Sequence, residues 1–167
     1  DLAEYIFQKL NSKIKFKKII QDGDFVKANT VVAEIKGDAV SVFTAERLVL
    51  NFMQRLSGIA TETKKYVNEV KDLNVDILDT RKTTPGLREL ERYGVRAGGG
   101  VNHRFGLFDQ ILIKENHLLF LKQYYKDLDY LDIIKKAIKE SCLKTNKKKL
   151  VEIEVENIDE ALCAVKE

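Results

Sequence analysis

Residues 79–117 read DTRKTTPGLRELERYGVRAGGGVNHRFGLFDQILIKENH and hold both histidines of the chain, its single proline, a triple glycine and a dense set of cations. The run Val75-Asp76-Ile77-Leu78 leads into Arg81 and Lys82, and the run Ile111-Leu112-Ile113 leads into Lys114. Short apolar runs of this kind predict strands, so both groups of cations are delivered by the C-terminal ends of strands. Cations converging there require a polyanionic ligand.

Outward from this stretch, extended and helical patterns alternate: strand 75–80, helix 86–96, strand 110–114, helix 129–141, strand 150–155 and a helix from Asp159. Strands separated by helices of this length predict parallel βα units with functional groups at the strand C-termini. A complete parallel α/β barrel needs roughly 200 residues or more. The 167 residues, with about three such units, therefore read as an incomplete barrel. In the last strand, Leu150-Val151-Glu152-Ile153-Glu154-Val155-Glu156, glutamates alternate with apolar residues. A parallel strand buried on both faces is normally apolar throughout. Glu152 and Glu154 are read either as the solvated face of an edge strand or as barrel-interior groups paired with Lys, Arg or a ligand hydroxyl.

Before Thr44 the pattern is different. Ile14–Ile19, the turn Asp22-Gly23-Asp24 and the alternating Val31–Ile35 predict short antiparallel strands. Residues 1–43 are thus expected to be the remainder of a small α+β open-sandwich domain, and 44–167 the first part of the barrel domain. The segment 22–37 also resembles the sandwich of biotinyl and lipoyl carrier domains, without their lysine hairpin. A helix is expected from Thr44, with Thr44 as its cap and Val49, Phe52, Met53 and Leu56 forming its apolar stripe. Gly58 is expected to interrupt or bend it.

Composition narrows the class. At 44% hydrophobic and 33% charged, the chain can bury a core, and no segment approaches the ~20 consecutive apolar residues of a membrane helix. A net charge of +3 is too mild for a nucleic-acid coat, so neither nucleic acid nor membrane is expected as a partner. No secretory pattern opens the sequence at Asp1, and Cys142 and Cys163 lack metal spacing, which reads as reduced thiols in a cytoplasmic protein.

Five segments in order carry a family resemblance: Glu46-Arg47 with Leu56–Thr61, Asp79–Arg88, Gly98–Arg104, Leu112–His117 and Glu152–Val155. Together they resemble quinolinate phosphoribosyltransferase, nicotinate-nucleotide pyrophosphorylase (carboxylating), a family whose chains extend further at both ends. The resemblance implies transfer of phosphoribose from phosphoribosyl pyrophosphate to quinolinate, with Mg²⁺, in a homodimer or higher oligomer with shared sites. It assigns Arg81 and Arg104 to the quinolinate carboxylates, with His103 in the same pocket and Thr80 donating to a carboxylate or phosphate oxygen. Lys82 and Lys114 are assigned to the departing pyrophosphate, Glu154 to ribose hydroxyls or to water around Mg²⁺, and Arg47 to the neighbouring subunit's site. A phosphoribosyltransferase-like paralogue of the molybdate-transport type and a non-catalytic sandwich module are the competing readings.

Other residues have plainer readings. His117 reads as a cap for the helix that follows it, and Gly98–Gly100 as a turn unless the family context makes it more. Arg88 and Arg96 read as a solvated helix face, and Lys147-Lys148-Lys149 as a solvated turn. Arg55 is open between surface and subunit contact.

Overall fold

The computed structural model describes residues 1–145 and 148–167, which form two units, Asp1–His103 and Arg104–Glu167. Lys147, the first lysine of the predicted basic turn, lies outside the described residues, while Lys148 and Lys149 are exposed.

The first unit contains α1 (Leu2–Leu10), β1 (Lys15–Lys18), β2 (Ala33–Lys36), α2 (Ala39–Glu69) and α3 (Arg88–Ala97). β1 and β2 pair antiparallel, with Phe16 opposite Ile35 and Lys17 opposite Glu34. Phe16 stacks on Phe7 of α1 at 6.1 Å between ring centroids, within the range where aromatic pairs attract beyond simple burial. Phe7, Ile14, Ala45 and Val49 form the buried core of this unit, with Val42 and Met53 packed against it. Val42, Ala45, Val49 and Met53 recur at helical spacing, and that stripe holds α2 to the sheet and α1.

α2 departs from the expected helix in two ways. It begins at Ala39, where the Asp38 carboxylate accepts from the Ser41 N–H at 2.8 Å. Asp38 therefore occupies the capping role expected of Thr44, whose hydroxyl instead donates back to the Val40 carbonyl at 2.7 Å inside the helix. Arg47 consequently sits in the third turn rather than the first. Nor does Gly58 interrupt the helix, which runs unbroken through all 31 residues. A glycine costs such a helix only about 1 kcal/mol relative to alanine, less than the tertiary packing that holds it supplies.

α3 packs on α2 through its glycines. A Cβ on Gly98 would overlap the Ala60 carbonyl oxygen, and one on Gly94 would press on Ile59 at 3.1 Å. Gly99 adopts φ +89°, open to glycine at little cost, and turns the chain back toward the sheet side. The triple glycine is therefore a close-packing device against α2, made into a turn at one position. The strand expected over 75–80 shrinks to one parallel bridge, Leu78 to Val101. It is fixed by Val101 N–H donating to Ile77 O at 2.8 Å and Asp79 N–H to Val101 O at 3.1 Å.

The second unit runs β3 (Ile111–Ile113), α4 (Glu115–Tyr124), α5 (Tyr130–Lys144), β4 (Val151–Ile153) and α6 (Ile158–Val165). β3 and β4 are parallel, Ile113 standing opposite Ile153. Two helices rather than one fill the crossover between them, because Asp129 caps a fresh start by accepting from Asp132 N–H at 2.8 Å. Ile133, Ile134, Ala137 and Ile138 form the buried stripe of α5 and meet Ile113, Leu118 and Cys163. The described residues form a mixed α/β fold with two two-stranded sheets, and no closed barrel is seen among them.

Candidate active site

In each unit the predicted ligand-binding residues leave one end of a parallel strand pair. In the first, Leu78 and Val101 are bridged in parallel, so Thr80, Arg81 and Lys82 on one side and Asn102 and His103 on the other follow side by side. In the second, Lys114 follows Ile113 and Glu154 follows its register partner Ile153. Parallel α/β folds place their ligands at such ends.

The loop after Leu78 is held by a web of side chains. Thr80 Oγ1 accepts from Lys82 N–H at 3.2 Å. Arg88 donates from Nη2 to the Arg81 carbonyl and from Nε to Thr83 Oγ1, both at 3.2 Å. Glu91, buried on α3, accepts from Arg55 Nε at 3.0 Å through Oε1 and from Thr84 N–H at 3.2 Å through Oε2. Burial alone would push the Glu91 carboxyl up, but hydrogen bonds from Arg55 and Thr84 outweigh it and hold it below its ordinary 4.5. Arg88 thus acts as a loop tether, correcting its reading as part of a solvated helix face, and Arg55, left open between surface and subunit contact, tethers the same loop. Arg96 likewise bonds Asn102 Oδ1 instead of standing free on a helix face.

A depressed carboxylate contributes stability above its unfolded pKa and loses it as pH falls through the lower folded value. Glu91 is therefore expected to make the stability of the native full-length protein fall as pH is lowered from about 4.5. Urea denaturation at a series of pH values checks this: Glu91→Gln should flatten the slope in that window, and an unaltered slope would contradict the role given to the carboxylate.

Arg81 is half-buried, and its Nε is a buried donor without a hydrogen-bond partner among the described residues. Lys82 is exposed, as is Arg47 on α2. His103 is half-buried at the end of the first unit. Arg104, 7% exposed in the second unit, reaches Gln110 O from Nη1 at 3.4 Å and also keeps its Nε without a partner. Lys114 Nζ pairs with Glu154 Oε1 at 3.0 Å, both side chains about half exposed at 44% and 50%. Such a pair contributes about 0–1 kcal/mol to stability, so it leaves both groups ready to exchange partners with a charged ligand. Lys114 N–H also donates to His117 Nδ1 at 3.0 Å, and His117 N–H to Lys114 O at 2.9 Å. His117 thus closes the helix end from inside, as the third residue of α4, rather than preceding the helix as expected.

Two residues of this region carry no expected role from sequence. Asp79 and Arg92 are almost fully buried around Asn102 and His103. Asp79 is an unremarked acid between an apolar run and a cation, and Arg92 looks like any helix-surface arginine; only the fold brings them together. A cavity of the first unit, about 340 Å³, lies elsewhere, between the small sheet, α2 and α3, and is mainly apolar. It contains none of Arg81, Lys82 or His103, so we assign the site from strand-end geometry and chemistry rather than from cavity size.

Guanidinium and ammonium groups at the ends of parallel strands in a mixed α/β fold suit small anions chemically. The family is set by comparison. Residues 59–167 match the model of the quinolinate phosphoribosyl transferase C-terminal domain, and residues 1–57 that of its N-terminal domain. The chain belongs to the quinolinate phosphoribosyl transferase family. It is 57% identical over 98 residues to a probable nicotinate-nucleotide pyrophosphorylase (carboxylating) of Bacillus subtilis, covering 59% of this chain and 34% of that one. Over 162 residues it is 42% identical to quinolinate phosphoribosyltransferase (decarboxylating) 1 of Nicotiana glauca, covering 96% of this chain and 43% of the relative. Among solved structures, NadC from Streptococcus pyogenes superposes with a TM-score of 0.85 at 37% identity, over 99% of this chain and 55% of the other. The nicotinate-nucleotide pyrophosphorylase of Francisella tularensis does so with a TM-score of 0.81 at 41% identity, over 98% and 54%. The chain spans about half the length, or less, of these relatives.

Proposed function

We propose that the full-length protein carrying this chain transfers phosphoribose from phosphoribosyl pyrophosphate to quinolinate with decarboxylation. The products are nicotinate mononucleotide, pyrophosphate and CO2, a step of NAD biosynthesis. The observation that supports this reading most directly is the pair of buried, unpartnered guanidinium nitrogens on Arg81 and Arg104. A buried donor left unpaired costs about 1–3 kcal/mol, which an anion in hydrogen-bond reach would relieve. Planar guanidinium groups suit the two carboxylates of quinolinate, with His103 also serving quinolinate and Thr80 donating to an anionic oxygen, as the family resemblance implies.

In this reading the C1–O bond to pyrophosphate breaks as the pyridine nitrogen bonds to C1. The ring carboxyl next to that nitrogen then leaves as CO2, and the electron pair it leaves behind takes up a proton. The attacking nitrogen bears no proton, so no general base is needed. Lys82 and Lys114 stabilise the departing pyrophosphate. Glu154, released from Lys114, holds ribose hydroxyls. Mg²⁺, when bound, would neutralise charge on the diphosphate, and Glu154 would hold it through water. The two anionic substrates repel each other, and holding them in register is the harder task.

We further read residues 1–43 as part of an open-sandwich domain and 44–167 as part of a parallel α/β-barrel domain. The active unit is a homodimer or higher oligomer in which Arg47 serves the neighbouring site. Cys142 and Cys163 are both free, which suits a cytoplasmic location, and among the described residues no helix is long and apolar enough to cross a membrane. The test uses the full-length protein. Quinolinate at about 100 times its Kd should add about 2.7 kcal/mol of stability by mass action, read as a rise in Tm. Adding phosphoribosyl pyrophosphate should release CO2 and form nicotinate mononucleotide. No shift with quinolinate and no CO2 release would overturn the reading.

A further inference from the structure

We propose that Asp79 and Arg92 form a buried clamp that positions His103 for the quinolinate carboxylates, a role that rests on the function proposed above. The clamp holds both backbone polar groups of one residue, which lie in consecutive peptide units. Asp79 Oδ1 accepts from the His103 N–H at 2.8 Å, while Arg92 Nη1 donates to the His103 carbonyl at 2.9 Å. The two charged groups lie 3.6 Å apart, with side-chain exposures of 4% and 11%. The second Asp79 oxygen accepts from Asn102 Nδ2 at 2.5 Å, and the same amide nitrogen donates to the Arg92 carbonyl at 3.0 Å. The residue before His103 is thereby held by the same pair.

Stability alone does not account for this arrangement. A buried ion pair recovers little beyond the cost of desolvating its charges, and an apolar pair of similar volume often serves a core as well. What an apolar pair cannot do is bond both backbone polar groups of one residue. That residue lies just past the point where Val101, bridged to Leu78, gives way to Asn102 and His103. Asp79 is itself the first residue after Leu78, so the clamp ties the strand end carrying Arg81 and Lys82 to the strand end carrying His103. Errors in the presentation of a ligand-binding group by a fraction of an ångström are enough to weaken a substrate interaction, which is why such supporting contacts matter.

The test compares wild type, Asp79→Asn and Arg92→Lys in the full-length protein. Asp79→Asn keeps the shape but turns an amide N–H₂ toward a site crowded with donors. Arg92→Lys keeps the charge beside Asp79 but loses the planar fork that reaches the His103 carbonyl. Hydrogen exchange of the His103 amide, measured without substrate, should accelerate at least roughly tenfold in Asp79→Asn. KM for quinolinate should rise roughly tenfold while KM for phosphoribosyl pyrophosphate stays within about twofold. Arg92→Lys should raise the same KM by less, and it carries the test if Asp79→Asn fails to fold. Unaltered His103 protection, or an equal rise in both KM values, overturns the proposal. A wild-type protein that does not turn over quinolinate sinks the functional reading instead; the exchange measurement then decides the clamp by itself.

Discussion

Lys82→Ala in the full-length protein is expected to lower kcat by roughly 10²–10³-fold, the usual loss when one well-placed donor to developing charge is removed. Lys82 is exposed at a strand end, and its backbone N–H is already fixed by Thr80 Oγ1 at 3.2 Å. The ammonium can therefore be deleted without unpicking the loop, and Tm should stay close to wild type. Arg104→Ala should behave differently. Its guanidinium is 7% exposed and keeps an unpartnered Nε, so it suits binding of the intact dicarboxylate, and its loss should chiefly raise KM for quinolinate. Steady-state kinetics with each substrate varied in turn separates the two outcomes. Wild-type kinetics in both variants would remove both assignments.

The second large effect concerns Arg47. It is exposed in the third turn of α2, off the stripe formed by Val42, Ala45, Val49 and Met53, so the core of its own unit does not need it. If its guanidinium serves the neighbouring subunit's site, Arg47→Ala and Lys82→Ala proteins should each be nearly inactive alone. Mixed, they form heterodimers in which one of two sites has both residues intact. With random exchange and independent sites, activity should recover toward about a quarter of wild type, given the two-fold symmetry usual for dimers. Native mass spectrometry verifies the exchange. Absence of recovery in a verified heterodimer would place Arg47 in its own subunit's site or in a structural role.

The strand ends were the most legible part of this fold. Ile111–Ile113 and Val151–Ile153 are short apolar or alternating runs with helices after them, and both form strands near the expected bounds. The antiparallel pair before Asp38 also follows its alternation. The misreadings share a physical cause, since each depends on contacts distant in sequence. The run 75–80 has the composition of a strand, yet among the described residues its bridge is to Val101 alone, so a single bridge is all that forms. α1 is only nine residues long, too short for its periodicity to stand out until Phe7 meets Phe16. α4 escapes notice because Lys114 and His117 close its N-terminus in place of the usual hydroxyl or carboxylate.

The site itself was readable as residue types but not as a division of labour. Arg81, Lys82, Lys114 and Glu154 stand out by their place after apolar runs. Nothing in the sequence distinguishes an arginine that meets a ligand from one that holds a loop, and Arg55, Arg88, Arg92 and Arg96 all prove to be holders. Their partners, Glu91 and the carbonyls of Arg81 and His103 among them, lie on other elements or in loops, where periodicity says nothing.

α2 has one more consequence, for recombination. The two family models meet between residues 57 and 59, in the middle of a continuous helix that presents Val49 to the small sheet, Arg55 to Glu91, and Ala60 to Gly98. Each added residue turns everything downstream by about 100° about the helix axis. A hybrid that joins this N-terminal portion to a relative's C-terminal portion therefore has to conserve helical phase, and a seam one residue out would leave Arg55 facing away from the loop it tethers. The natural place to cut is ahead of Asp38, where the rod begins.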